Sequence, residues 1–295
     1  MITLSNGHSF LFMVASGALA FDGRGWPWEW PLRWAGLIDP SLFTVVTKTL
    51  TRQPRRGNLR WYNPIRCVRW LPAGAVNAVG LTNPGIEWWC RTIAPSLKKC
   101  RHKIVVSIEA ENEADTLEMI GMIQKNLHGN IVGIELNASC PNTFADRNQS
   151  TERILSICQK AKLESPVPLL LKVGITIDYL KLADELKEIV ETFSINSVPW
   201  GIAFPDKKSP LARFGGGGVS GKIAQQWTWK IAGELAKTDM PVVGASPWEY
   251  EDIQKLFDLG VGAVSFGSLF LWHPWRPTHY VRRWIRETQG ARGAA

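Results

Sequence analysis

Residues 131–137 read IVGIELN, an apolar run of strand length that ends on Asn137, and LNASCPNT (136–143) then gathers small polar residues around Cys140. An apolar run that stops at a cluster of polar groups is the pattern of a buried parallel strand delivering side chains to a site at its carboxyl end. Seven further runs of the same kind lie along the chain: FMVAS (12–16), TVVTK (44–48), IVVSIE (104–109), LLLKV (169–173), SINSV (194–198), PVVGA (241–245) and AVSFG (263–267). Between several of them the spacing is helical, as in EADTLEMIGMIQKNL (113–127), TERILSICQKAK (151–162) and IDYLKLADELKEIVE (177–191). Eight strands separated by helices or long connections predict an α/β fold, a closed parallel (β/α)8 TIM barrel, more readily than an open sheet. No Gly/Ser-rich linker divides the chain, so residues 1–295 are expected to form a single barrel domain.

The stretch that contains the first strand, SFLFMVASGALA (9–20), imitates a secretory signal. No basic region precedes it, however, and Asn6-Gly7 is a tight-turn signal that makes ITL and FLF the arms of a short N-terminal hairpin. No segment is long and apolar enough to span a bilayer. Five cysteines without a CxxC pair argue against a zinc site, an iron–sulfur cluster on this chain or a disulfide framework, and suit a reducing cytoplasm; no metal site is expected. The net charge of +8 is concentrated in TRQPRRGNLR (51–60) and the tail from Arg276 to Arg292, and no nucleic-acid motif accompanies it. Among fifteen tryptophans, the densest segment is WPWEWPLRW (26–34), whose prolines suggest a loop with indoles packed on the protein, a partner or a ligand.

Polar residues and glycines fall in a consistent place on this frame. Ser16, Lys48, Glu109, Asn137, Lys172, Asn196, Ser197, Gly244 and Gly267 all stand at or just past the ends of predicted strands, which converge on one face of a barrel. RFGGGGVSGK (213–222) precedes the helical pattern QQWTWKIAGELA, and FGSLF (266–270) closes the last strand. Glycines let backbone approach a phosphate, and barrel phosphate sites favour the last two strands.

Taken together, ASG (15–17), TKTLTRQPRRGN (47–58), VNAVGLTNPG (76–85), ELNASCPN (135–142), LLKVG (170–174), INSV (195–198), GGGGVSG (215–221), VVGA (242–245) and FGS (266–268) resemble the dihydroorotate dehydrogenases, over nearly the whole chain. A cysteine at position 140 makes the resemblance one to the soluble, FMN-dependent class 1 enzymes, which oxidise dihydroorotate to orotate in pyrimidine synthesis. The resemblance implies Cys140 as the base that takes the C5 proton and FMN N5 as the hydride acceptor. A free thiol, with a pKa of about 8.5, reaches thiolate near neutral pH where polar neighbours favour it. It further implies that Asn77, Asn137, Asn142, Asn196 and Ser197 bind the pyrimidine ring and its carboxylate, with backbone around Gly80 and Leu81 helping. Lys48 would lie between flavin and substrate and Lys172 near flavin N1 and O2. Ser16, Thr49 and Ile195 would line the flavin, with Asn137, Gly244 and Ser246 beside it, and Gly218, Gly267 and Ser268 its phosphate.

Two features depart from that pattern. Ser246 and Pro247 replace a Gly-Gly pair that offers N–H groups to the phosphate, and PWGIAFPDKKSP follows INSV. The oxidant stays open between fumarate, a quinone and NAD through an iron–sulfur flavoprotein partner subunit; a homodimer is the family expectation. Two alternatives compete with the leading reading: a flavoenzyme for another dihydropyrimidine, and a non-catalytic barrel subunit binding through its tryptophan-rich surface.

Overall fold

The computed structural model describes residues 1–60, 63–110, 112–138 and 147–293. Eight parallel strands close into a barrel in sequence order: β1 (Phe12–Val14), β2 (Thr44–Val46), β3 (Lys103–Glu109), β4 (Ile131–Asn137), β5 (Leu169–Val173), β6 (Thr192–Ile195), β7 (Val242–Gly244) and β8 (Ala263–Phe266), with β8 pairing back onto β1. Each coincides with one of the eight apolar runs. The predicted SINSV strand begins earlier and stops at Ile195, so Asn196 and Ser197 stand just beyond its end.

The barrel interior is divided along its axis. At the amino end of the strands Met13, Val46, Val105, Leu170, Val243 and Ala263 form an apolar layer, which Ile2, Leu4 and Phe10 close from below. These three come from the N-terminal hairpin, in which Ile2 pairs with Phe10 and Thr3 with Ser9 around a turn at Gly7 (φ 83°). Its second arm is therefore Ser9–Phe10, and the remainder of FLF runs on into β1. Outside the barrel, helices such as Glu113–Lys125 and Arg147–Glu164 pack into the main core. The helix predicted over 177–191 is shorter, Tyr179–Glu185, because the chain leaves helical geometry at Leu186 to deliver β6.

A second sheet, of four antiparallel strands, is the feature that sequence periodicity does not announce. Val68–Leu71 and Gly74–Asn77 come from the β2–β3 connection, Val198–Pro199 and Gly218–Gly221 from the β6–β7 connection. Side-chain alternation splits this sheet into two faces. Val68, Trp70, Ala75, Asn77 and Ser220 look into the cavity at the carboxyl end of the barrel, whereas Val76 and Val219 join Leu211 in a small core of their own. Of the glycine run, Gly215–Gly217 turn with positive φ and Gly218 opens the strand, and the helix Gln225–Leu235 follows a short 3-10 turn, as its pattern predicts. The strand glycines are small because the sheet packs tightly: a Cβ on Gly218 would meet Ser197 Oγ at 2.2 Å, and one on Gly74 would meet the Ser220 carbonyl at 2.3 Å.

The tryptophan-rich segment is also more regular than its prolines suggest. Pro27–Glu29 forms a 3-10 turn and Trp30–Trp34 a short helix. Both prolines occupy first-turn positions, where the missing N–H costs no hydrogen bond.

The hairpin plug carries a stability prediction. Leu4→Ala should lower the unfolding free energy by about 2–5 kcal/mol, the range for a buried leucine truncated without collapse of its site. Urea denaturation followed by circular dichroism measures it.

Candidate active site

One cavity of about 710 Å³ opens at the carboxyl ends of the strands, under the antiparallel sheet. It collects most of the residues singled out from sequence. Ser16, Lys48 and Thr49 reach it from beyond β1 and β2, Asn137 and Lys172 from the ends of β4 and β5, and Ile195, Asn196 and Ser197 from β6. The sheet contributes Asn77 and Gly218, and the turn after it Gly80 and Leu81. Ser246, Gly267 and Ser268 close the circle from β7 and β8. Gly244 does not line the cavity: its missing side chain makes room for Leu256 and Val261 on the outer layer, where a Cβ would stand 2.9 Å from Leu256 Cδ2. Cys140 and Asn142 lie outside the described residues.

The floor of the cavity is a chain of hydroxyls ending on a carboxylate. Ser16 and Thr49 share a hydrogen bond of 3.0 Å, Thr49 and Ser107 another of 3.0 Å, and Asn137 Nδ2 donates to Thr49 Oγ1 at 2.9 Å. Ser107 Oγ donates to Glu135 Oε1 at 2.9 Å and Ser194 Oγ to Glu135 Oε2 at 2.8 Å. Lys172 Nζ lies 4.0 Å from Glu135 Oε1. Glu135, Ser107 and Ser194 were not among the residues expected from sequence; the available signal is an acidic residue two positions before the strand end, inside an otherwise apolar run.

Lys48 is buried, and that burial pushes its ammonium down to about 8; Cys67 opposes the shift and Lys172 adds to it. An amine so placed exchanges its proton near the physiological range.

The walls hold further unexpected groups. Gly80 (φ 65°) and Leu81 (φ 52°) are consecutive left-handed residues; for a leucine that conformation costs about 1–3 kcal/mol and is kept by its surroundings. Asn83 Nδ2 donates to the Leu81 carbonyl at 2.7 Å and fixes the turn. Trp26 and Trp28 stack with ring centroids 5.4 Å apart at the rim, and Trp26 Nε1 donates to the Gly17 carbonyl at 3.1 Å. Beside them the buried Glu29, which also lines the cavity, accepts the Trp26 N–H at 2.7 Å, and burial pushes its carboxyl up to about 7 against that hydrogen bond. Beyond β7, Ser246 also has positive φ (64°). Gln225 bridges its carbonyl to Asp252, which accepts the N–H groups of Trp248 and Glu249, so the Ser246-Pro247 turn is clamped without glycines.

A cavity at the carboxyl face of a barrel, with two amines, several amides and a hydroxyl chain, suits a small polar ligand whose ring both donates and accepts hydrogen bonds. Residues 32–246 match the family model for dihydroorotate dehydrogenase. The chain belongs to the dihydroorotate dehydrogenase family. Among relatives, the catalytic subunit of dihydroorotate dehydrogenase B (NAD(+)) from Caldicellulosiruptor saccharolyticus is 28% identical over 271 residues, covering 89% of this chain and 84% of that protein. The subunit of the same name from Carboxydothermus hydrogenoformans is 27% identical, with 93% and 86% covered. A crystal structure of ligand-free type DHODH from Eimeria tenella aligns with a TM-score of 0.60 at 17% identity, over 81% of this chain and 75% of that one, a likeness of fold. In this dihydroorotate dehydrogenase family member no described helix is long and apolar enough to cross a membrane. Among the described residues no cluster of His, Cys, Asp and Glu could hold a metal ion.

The depressed Lys48 sets a sign for stability against pH. Between pH 8 and 10.5 the unfolded chain binds more protons at this site than the folded one, so the penalty of burying the cation is complete below pH 8 and gone above about 10.5. Lys48→Met should therefore stabilise the protein at pH 7 by roughly 3 kcal/mol, with the advantage shrinking as pH rises through that window. Urea unfolding at a series of pH values checks both the sign and the window.

Proposed function

We propose that this protein is an FMN-dependent dihydroorotate dehydrogenase of the class 1 type, a single barrel domain over residues 1–295 that oxidises (S)-dihydroorotate to orotate in pyrimidine synthesis. The observation that carries the reading is the convergence of Lys48, Asn77, Asn137, Lys172, Asn196 and Ser197 on one cavity in a chain of this family. The residues present fit FMN. The cavity has room for a flat cofactor beside a small substrate. Gly218 and Gly267 line it without side chains, so backbone is exposed to a ligand there. When bound, FMN supplies the two-electron acceptor that takes a hydride, which no side chain can do.

Ser16, Thr49, Asn137 and Ile195 would hold the flavin body, and Gly218, Ser246, Gly267 and Ser268 its phosphate. Pro247 offers no N–H, and the Ser246 hydroxyl and N–H stand in its place. Asn77, Asn142, Asn196 and Ser197, together with Asn137, orient the pyrimidine ring, because amides donate and accept at once. Backbone at Gly80 and Leu81 receives the carboxylate, a group that a dihydrouracil would not bring. Cys140 takes the C5 proton. Lys48 would stand between flavin and substrate, and Lys172 would place its positive charge near flavin N1 and O2, where negative charge accumulates on reduction.

The relatives' description as catalytic subunits supports work with a second subunit. We take that partner to be an iron–sulfur flavoprotein delivering electrons to NAD, with the barrel itself a cytoplasmic homodimer.

Purified protein should be yellow and bleach under anaerobic conditions on addition of dihydroorotate. Cys140→Ser should bleach about 10²–10⁴-fold more slowly at neutral pH, the usual weight of a general base. Stopped-flow absorbance measures both. Bleaching by a dihydropyrimidine without a carboxylate, and not by dihydroorotate, would move the substrate assignment.

A further inference from the structure

We propose that Glu135 is a positioning residue, fixing the Lys172 ammonium against the cavity floor as its buried counter-charge. The inference rests on the functional reading above and deepens it.

The geometry has three parts. Glu135 sits on β4 beneath the cavity with 1% of its surface exposed, and both carboxylate oxygens are engaged, Oε1 by Ser107 from β3 and Oε2 by Ser194 from β6. Its orientation is therefore set from two sides of the barrel. Lys172 comes from the neighbouring strand, where Asn137 pairs with Lys172 in register, and its Nζ lies 4.0 Å from Oε1. Finally, Lys48 and Lys172 both line the cavity, buried, and among the described residues neither has another carboxylate within ion-pair distance.

The hydroxyl partners do not themselves call for a charge. A glutamine of the same shape could accept from one serine and donate to the other, satisfying both. What a glutamine could not do is compensate a cation. Leaving a buried ammonium without a counter-charge is costly. Two ammonium groups face one ligand space here, so the single carboxylate under Lys172 decides where that lysine's charge is held. Glu135 does not line the cavity; it acts through Lys172.

The test is the midpoint potential of the bound flavin in the purified holoprotein, by dye-coupled anaerobic titration, for wild type, E135Q, K172M, E135Q/K172M and S194A. If Glu135 acts through Lys172, E135Q shifts the potential in the negative direction, as K172M does, and the double variant shifts it no further than K172M alone. S194A, a single hydroxyl deletion that loosens the carboxylate, gives a smaller shift of the same sign and serves if E135Q does not fold. Circular dichroism verifies folding of each variant. An unchanged potential in folded E135Q or S194A overturns the inference. So does a positive shift in E135Q, which would mean that only a negative charge had been lost, or additive shifts in the double variant. Colourless wild-type protein overturns the functional reading and this inference with it, whereas yellow wild type with unmoved variants overturns this inference alone.

Discussion

A carboxylate buried inside a closed barrel is tolerable only if every lone pair finds a partner, and meeting that condition at Glu135 organises the upper half of this protein. Its two oxygens are held by hydroxyls from β3 and β6, and the Ser107 hydroxyl continues through Thr49 to Ser16 and Asn137. One connected set of hydrogen bonds therefore spans β3, β4, β6 and the segments beyond β1 and β2. A slip of one residue in any of these strands would turn its hydroxyl or carboxylate outward, so the network fixes register as firmly as apolar packing does lower down.

Below this layer the barrel is apolar, filled by residues such as Met13, Val105, Leu170 and Val243 and stoppered by Ile2, Leu4 and Phe10. Above it the requirement changes from filling space to leaving it. The cavity remains because the chain roofs it with a sheet built from two distant connections, one face of which has its own small core around Val76, Leu211 and Val219. Trp272 Nε1, donating to the Gly74 carbonyl at 2.6 Å, ties that roof to the helix after β8.

How much of this was legible beforehand follows from which forces are local. All eight barrel strands could be read, because strands buried on both faces appear as continuous apolar runs. Lys48, Asn137, Lys172 and Asn196 could be read because polar groups at the ends of such runs are conspicuous. The roof could not: Val68–Leu71, Gly74–Asn77 and Gly218–Gly221 are short, and their pairing depends on partners remote in sequence, so nothing local in GGGGVSG marks a strand. Gly244 shares the strand-end position of the site residues but answers to Leu256 and Val261 behind it. Glu135 was hidden because one acidic residue in an apolar run gives no sign of the serines that will meet it. The tryptophan segment was misjudged through its prolines, which open helical turns at Pro27 and Pro31 and do not break them.

The roof has a consequence for the order in which the molecule comes together. Ser220 Oγ donates to the Ala75 carbonyl across 145 residues of chain, and the strands that carry them are anchored on opposite sides of the barrel. Closing so long a loop is entropically costly until the intervening strands have docked. The ligand space is thus a late product of folding, and a newly made chain acquires the capacity to hold a cofactor only once its two halves have met.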